Sequence, residues 1–229
     1  MNMTDSNLLD NPAWAALTTK QAQLAQGDGP ARRYDPAVAP FGAVETMTLD
    51  ALHRLSELLG PDESVAVRSV NALPSVDGLQ IDKLFDALQM VDFGRADSGD
   101  TNDVLRLSAA DAADMLDLAR RTNPGPFAIR TVETGHYIGI RDNGRLIAMA
   151  GERMTLDGFV EVSAVCVDDA YRGRKLAGRL MNIIRNEIRQ RGDVPFLHVR
   201  DDNASAIPLY RRLGFEDRAL FGLYRVTRV

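Results

Sequence analysis

Apolar residues along this chain recur with two periods, and the switches between them mark its elements. Period-two alternation reads as half-buried strand over 64–70, 104–107, 136–141, 145–152, 159–167 and 195–200. Weaker strand signals lie near 41–45 and 220–226, and 84–93 reads as strand or short helix. Helical spacing appears at Leu52, Leu55, Leu58 and Leu59 behind a capping Thr48, with Gly60-Pro61 as a stop. It returns at Ala112, Met115, Leu116 and Ala119 behind Ser108 and Asp111, a capping-box pair. A first helix is expected over 12–26, with Pro12 at its first position and a Gly-rich stop after it. Asn143-Gly144 and Asp157-Gly158 are hairpin turns joining three consecutive strands.

The stretch 161–191 organises the rest. It runs from an apolar strand through a short polar turn into a helix with apolar positions Leu176, Leu180, Ile183, Ile184 and Ile188, stopped by Gly192. The turn carries Arg172, Arg174 and Lys175 where the first helical N–H groups lack intrahelical partners. Free N–H groups, the positive end of the helix dipole and three cations suit a phosphate. Neither G-x-x-x-x-G-K-[ST] nor a strand-borne G-x-G-x-x-G is present, so two familiar phosphate loops are excluded.

Arg172-Gly173-Arg174-Lys175-Leu176-Ala177 resembles motif A of the GNAT acetyltransferases, (Arg or Gln)-x-x-Gly-x-(Gly or Ala) after an apolar strand. NASAIPLYRRLGFE, residues 203–216, is similar to the family's motif B, and the FR47-like branch is the nearest in look. The resemblance covers roughly 101–229. It departs from the pattern at Lys175, which stands for the usual glycine, and at Pro208 inside the motif B helix. A cap at Asn203 would leave Pro208 in the helix interior, whereas a cap at Ser205 would put it in the first turn, where no bond is lost.

The resemblance implies an α/β fold of the α+β kind: a mixed, mainly antiparallel sheet splayed at the motif A strand and flanked by helices. Residues 101–229 would form this acetyltransferase domain. Residues 1–100 would form an N-terminal α/β extension, a degenerate half-domain, with the boundary in the polar linker 95–102. It implies acetyl-CoA as co-substrate, held by Arg172, Gly173, Arg174, Lys175, Leu176, Ala177 and Gly178 at the phosphates. Val165, Cys166 and Val167 would meet the pantetheine arm, and Asn203, Ala206 and Tyr210 would line the same cleft. The N–H of Val165 would face the developing oxyanion. Glu161 would be the base that deprotonates the amine, with Glu152 as the second choice, and Tyr210 the acid that protonates the departing thiolate. Glu133 and His136 lie near where acceptor loops fall in this family, and loops from 122–136 and from the first hundred residues would shape the acceptor pocket. The acceptor would be a small-molecule amine, a peptide N-terminus or a lysine.

Composition narrows the classes. The 229 residues are 45% hydrophobic and 26% charged with net charge −5, against bulk binding to nucleic acid or an acidic membrane. The single cysteine, Cys166, sits in an apolar strand and reads as a small core hydrophobe, so no covalent intermediate is expected. His53, His136 and His198 have no metal-ligand spacing. No secretory signal or membrane span is visible, giving a cytoplasmic expectation, with the protein a monomer or homodimer. The rival reading is a CoA-binding sensor or interaction module without transfer, which would need the phosphate loop but neither Glu161 nor Tyr210.

Overall fold

The computed structural model describes residues 6–94 and 100–229, so most of the expected linker falls outside the described residues. In chain order the elements are α1 (Pro12–Thr18), β1 (Ala25–Gln26), β2 (Ala31–Tyr34), β3 (Gly42–Val44), α2 (Leu49–Glu57), β4 (Ser64–Ser69), β5 (Leu79–Asp92), β6 (Val104–Leu107), α3 (Ala112–Thr122), β7 (Tyr137–Asp142), β8 (Arg145–Leu156), β9 (Phe159–Val167), α4 (Leu176–Gln190), β10 (Val194–Arg200), α5 (Ala206–Arg212) and β11 (Phe215–Arg228). No helix among the described residues is long and apolar enough to cross a membrane.

The local signals act as their chemistry dictates. Thr48 Oγ1 accepts from the Ala51 N–H at the start of α2. Ser108 and Asp111 close a reciprocal capping box. Asn143 and Gly144 both take positive φ, the requirement of the tight turn between β7 and β8. The first helix stops at Thr18 rather than 26. Thr18 and Thr19 hydroxyls bond back to the Trp14 and Ala15 carbonyls, and the chain then turns to pair β1 with β2. The region 84–93 is strand throughout, part of the 14-residue β5.

Eight strands form one sheet in the order β4-β11-β5-β10-β9-β8-β7-β6, and β1-β2-β3 form a second, small sheet. Only β9 and β10 run parallel; the other pairs are antiparallel. The large sheet takes β4 and β5 from before residue 100 and β6 to β11 from after it. The boundary expected near residue 100 therefore does not separate two sheets, because β5 sits between β10 and β11.

Helices cover both faces. On one, the α4 residues Leu180, Ile183, Ile184 and Ile188 and Ile207 of α5 pack on Ala148, Ala150, Val160 and Val162. On the other, α1 covers Met154, Leu156 and Phe159, and α3 covers Met149, Ala164 and Cys166. Helix α2 packs on Val65 and Val67 of β4 and Val226 of β11. Arg185 on α4 is buried; it grips Asp92 at the end of β5 with two hydrogen bonds and stacks on Phe215, tying α4 to the sheet.

Candidate active site

The parallel ladder between β9 and β10 lasts for three residue pairs, ending at Phe196 opposite Glu161. Beyond that point the strands part, and a cleft of about 1530 Å³ passes between them. Its walls come from the start of α4, from α5, from the Thr122 to Pro126 turn, and from β4, β5 and β11.

Strand β9 is bent at the mouth of the splay. Ser163 pairs with Gly151 and Cys166 with Met149, so Ala164 and Val165 together oppose only Ala150. This is a β-bulge, and Ala164 takes φ 53, a left-handed conformation costly for a residue with a Cβ. The extra residue releases backbone from the ladder where Val165 and Val167 line the cleft. It also inverts the faces. Val160 and Val162 face α4 before the bulge, and Val165 and Val167 pack on that side after it. Glu161 and Val165, expected on one face by simple alternation, therefore lie on opposite faces. Cys166 is buried on the α3 side, its thiol pushed up to about 11 by burial, which leaves it a poor nucleophile.

The start of α4 faces the cleft. Lys175 occupies its cap with φ 60, the left-handed conformation that the motif's glycine would adopt. No side chain caps this end and no acidic residue stands in its first turn, so the N–H groups of Leu176, Ala177 and Gly178 are available to an anion. Arg172, Gly173, Lys175, Leu176, Ala177 and Gly178 all line the cleft. Arg174 folds back over the Tyr171 ring at 4.8 Å and is not among the lining residues. Helix α5 starts beside it. Ser205 is the cap position, but the side chain that accepts the Ala206 N–H is that of Asn203. Pro208 is thus in the first turn, where its missing N–H breaks no bond. Tyr210 consequently turns to the cleft, which Asn203 and Ala206 also line. Burial pushes the Tyr210 hydroxyl up to about 12, so it keeps its proton at neutral pH.

Below the splay lies a buried charge cluster. Arg153 Nε and Nη2 donate to Glu161 Oε2 and Oε1 at 2.9 and 2.5 Å. A second bulge, in β8, sets Arg153 and Met154 against Glu161 alone and aims the guanidinium at it. His198 Nδ1 lies 2.7 Å from Glu161 Oε1, and its Nε2 lies 3.1 Å from Gln89 Nε2. Burial, then Arg68, lowers His198 to about 4, so the ring is neutral, donates from Nδ1 and accepts at Nε2. The guanidiniums of Arg153 and Arg68 and the bond from His198 hold Glu161 well below the ordinary carboxylate range, outweighing the upward push of its burial.

These positions bear on two expected roles. Glu161 has no exposed surface and is not among the cleft-lining residues; its carboxylate is the counter-ion of Arg153 and meets the cleft only through its hydrogen bond with His198, which lines it. Glu152 points to the α4 side, where it accepts from Arg191 and from the His136 N–H, also away from the cleft. Glu133 is paired with Arg130, and His136 lies by Arg191; neither lines the cleft. Among the described residues, eight cations line it, namely Arg68, Arg153, Arg172, Lys175, Arg179, Arg200, Arg212 and Arg225, with no aspartate or glutamate. Arg153, Arg172, Arg179, Arg200 and Arg225 are paired with Glu161, Asp169, Asp103, Asp202 and Asp82, so the feature suited to an anion is the uncapped start of α4 with Lys175 beside it. Sequence reading missed Arg68, Arg153 and His198. No spacing signals them, because strand curvature and bulges bring them together.

A family model for FR47-like proteins matches residues 137–226. A solved structure described as a putative acetyltransferase from the GNAT family of Novosphingobium aromaticivorans superposes with a TM-score of 0.90 at 37% identity, over 96% of this chain and 98% of that one. The chain belongs to the GNAT family. Within it, N-alpha-acetyltransferase RimI of Mycobacterium tuberculosis is 40% identical over 84 residues, 35% of this chain and 52% of that protein. The match to the uncharacterised ML0378 of Mycobacterium leprae covers 28% of that protein, so the chain spans about half or less of these two curated relatives. A GCN5-related N-acetyltransferase from Kribbella flavida, 20% identical, shares the fold with a TM-score of 0.61 over 93% of this chain and 95% of that one.

Proposed function

We propose that this chain is an acyl-CoA-dependent N-acyltransferase that moves acetyl from acetyl-CoA to a primary amine by direct attack. The observation that carries the reading is the uncapped start of α4, opening into a cleft of cations that continues through the β9–β10 splay. The donor set fits the co-substrate: free N–H groups with Arg172 and Lys175 for phosphates, and strand backbone at Val165 to Val167 for the amide-bearing pantetheine arm. Acetyl-CoA, when bound, supplies the thioester carbonyl. The Val165 N–H, freed by the bulge, stabilises the oxyanion, and Tyr210 donates its proton to the leaving sulfur. Asn203 and Ala206 hold the α5 side of the cleft.

Among the described residues no carboxylate lines the cleft, so in this reading the amine gives up its proton to solvent water. The guanidiniums of Arg68 and Arg153 disfavour a cationic amine nearby, lower its pKa, and raise the share that can attack. Glu161 acts through Arg153 and His198, as a positioning residue. Residues 101–229 supply the cofactor half of the site, and the N-terminal extension, through Phe41, Arg68 and Phe85, supplies the acceptor half.

Escherichia coli relatives, 26% identical over 132 residues, are named for the alanine of ribosomal protein bS18. A peptide N-terminus, a small amine and a lysine are the acceptor types to test. With acetyl-CoA and such a panel, the proposal predicts acceptor-dependent release of free thiol. Tight acetyl-CoA binding with no release above hydrolysis for any amine would instead make the protein a sensor.

A further inference from the structure

Arg68 is a buried cation without a full set of partners. Its side chain is 8% exposed, and its Nε has no hydrogen-bond partner among the described residues. Its Nη1 meets only the Met154 sulfur at 3.8 Å, and its Nη2 lies 3.9 Å from Glu161 Oε1. Glu161 is already gripped by Arg153 and His198 at 2.5 to 2.9 Å. Burial pulls Arg68 down to about 10, with Glu161 opposing and Arg153 adding to the fall.

The local charge count agrees. Arg68 and Arg153 bring two positive charges, Glu161 brings one negative charge, and His198 is neutral. The cluster is short by one anion. A buried cation left in that state is costly unless a ligand completes it.

Arg68 is also held in place. Val65 and Val67 are buried under α2, so Ala66 and Arg68 point to the opposite side of β4, into the cleft. Phe41 carries both the Arg68 and the Arg153 guanidinium over its ring, at 4.6 and 4.9 Å. A fixed, planar donor fork of this kind matches a carboxylate. Arg153 and His198, which share the cluster, line a niche with Val165 and Tyr210, where the acyl group would be attacked. An anion on Arg68 is therefore one small molecule away from the reacting carbonyl.

We propose that the acceptor is an amino acid with a free carboxylate, which Arg68 binds while the amine faces Val165. The inference rests on the transferase reading and adds the acceptor class. Phe41, Leu84, Phe85 and Leu223 beside Arg68 give the acceptor's side chain an apolar wall.

The test measures kcat/KM for thiol release from acetyl-CoA with each of the twenty amino acids against its own amide, and with an alanyl peptide. The expected result is at least one amino acid favoured over its amide by about tenfold or more, the scale of one charged hydrogen bond. Arg68→Met should abolish that preference and Arg68→Lys should keep part of it. Because Arg68→Met removes an unpaired buried cation, its thermal midpoint should equal or exceed that of the parent; a large drop would make Arg68 a structural residue and overturn the proposal. Equal use of acids and amides, or a preference that survives Arg68→Met, would overturn the acceptor class and leave the transferase reading standing. An Arg68-dependent preference for succinyl-CoA over acetyl-CoA, with amides used as well as acids, would move the carboxylate to the acyl chain and overturn it too. Silence with every amine, while acetyl-CoA binds, would overturn both readings.

Discussion

Arg153 holds both carboxylate oxygens of Glu161, at 2.9 and 2.5 Å, beneath the point where β9 and β10 part. The pair sits at the hinge of the site, where the last ladder contact of the two strands ends at Glu161. Removing the negative partner strands two guanidiniums in a buried place. Glu161→Gln should therefore lower stability by about 3–5 kcal/mol, read as a shift in urea midpoint. A variant as stable as the parent, with turnover lost mainly at low pH, would restore Glu161 to the role of base.

Tyr210 tests the cofactor side. Tyr210→Phe keeps the ring beside Phe215 and deletes only the hydroxyl. Acetyl-CoA affinity by calorimetry should hold, and the maximal rate should fall by around ~10²-fold. An unchanged rate would leave the sulfur to depart without an acid.

His198 predicts a pH dependence of stability. Its folded value, about 4, lies below the 6.5 of the free side chain. Between these values the unfolded chain binds a proton that the native state does not, so stability falls as pH drops from about 6.5 to about 4. The loss from this group reaches about 3 kcal/mol at the acid end. Glu161, held low, adds a loss that begins as pH falls through the ordinary carboxylate range and continues below it. His198→Gln should flatten the upper part of the curve in urea melts at pH 7, 6 and 5. A parent whose midpoint does not change over that range would contradict the buried neutral ring.

The start of α4 makes a prediction that separates its cations. Arg172 and Lys175 line the cleft, whereas Arg174 lies on Tyr171. Arg172→Ala with Lys175→Ala should weaken acetyl-CoA binding tens-fold, given ~1.5–3 kcal/mol for a charged hydrogen bond, part of it screened at this exposed site. Arg174→Ala should change it by no more than about twofold. Equal losses in both variants would place all three cations on the phosphates.

The α4 side of the cleft was legible because its constraints are local. A strand, a turn with cations and an uncapped helix leave a pattern within about thirty residues, and Asn203 with Pro208 marks the start of α5. The Arg68 side was not, because its partners are distant in sequence and depend on sheet topology. Arg68 is four strand-to-strand steps from Glu161, roughly 19 Å on a flat sheet. The two side chains nonetheless come within 3.9 Å, a closeness that neither their sequence separation nor the strand order announces. The bulge at Ala164 and Val165 hides in the same way. Alternation read through it puts Glu161 and Val165 on one face, and a single extra residue inverts that.

The acyl carbon gives the most direct test. Acetyl-CoA labelled at the thioester carbonyl is incubated with the protein and a panel of amino acids, amino acid amides and short peptides, and the products are resolved by mass spectrometry. The account predicts the label in a new amide on the acceptor's amine, in amounts equal to the thiol released, and lost when Tyr210 or the α4 start is altered as above. Label that stays in the thioester with every amine, while the protein binds acetyl-CoA tightly, would contradict it.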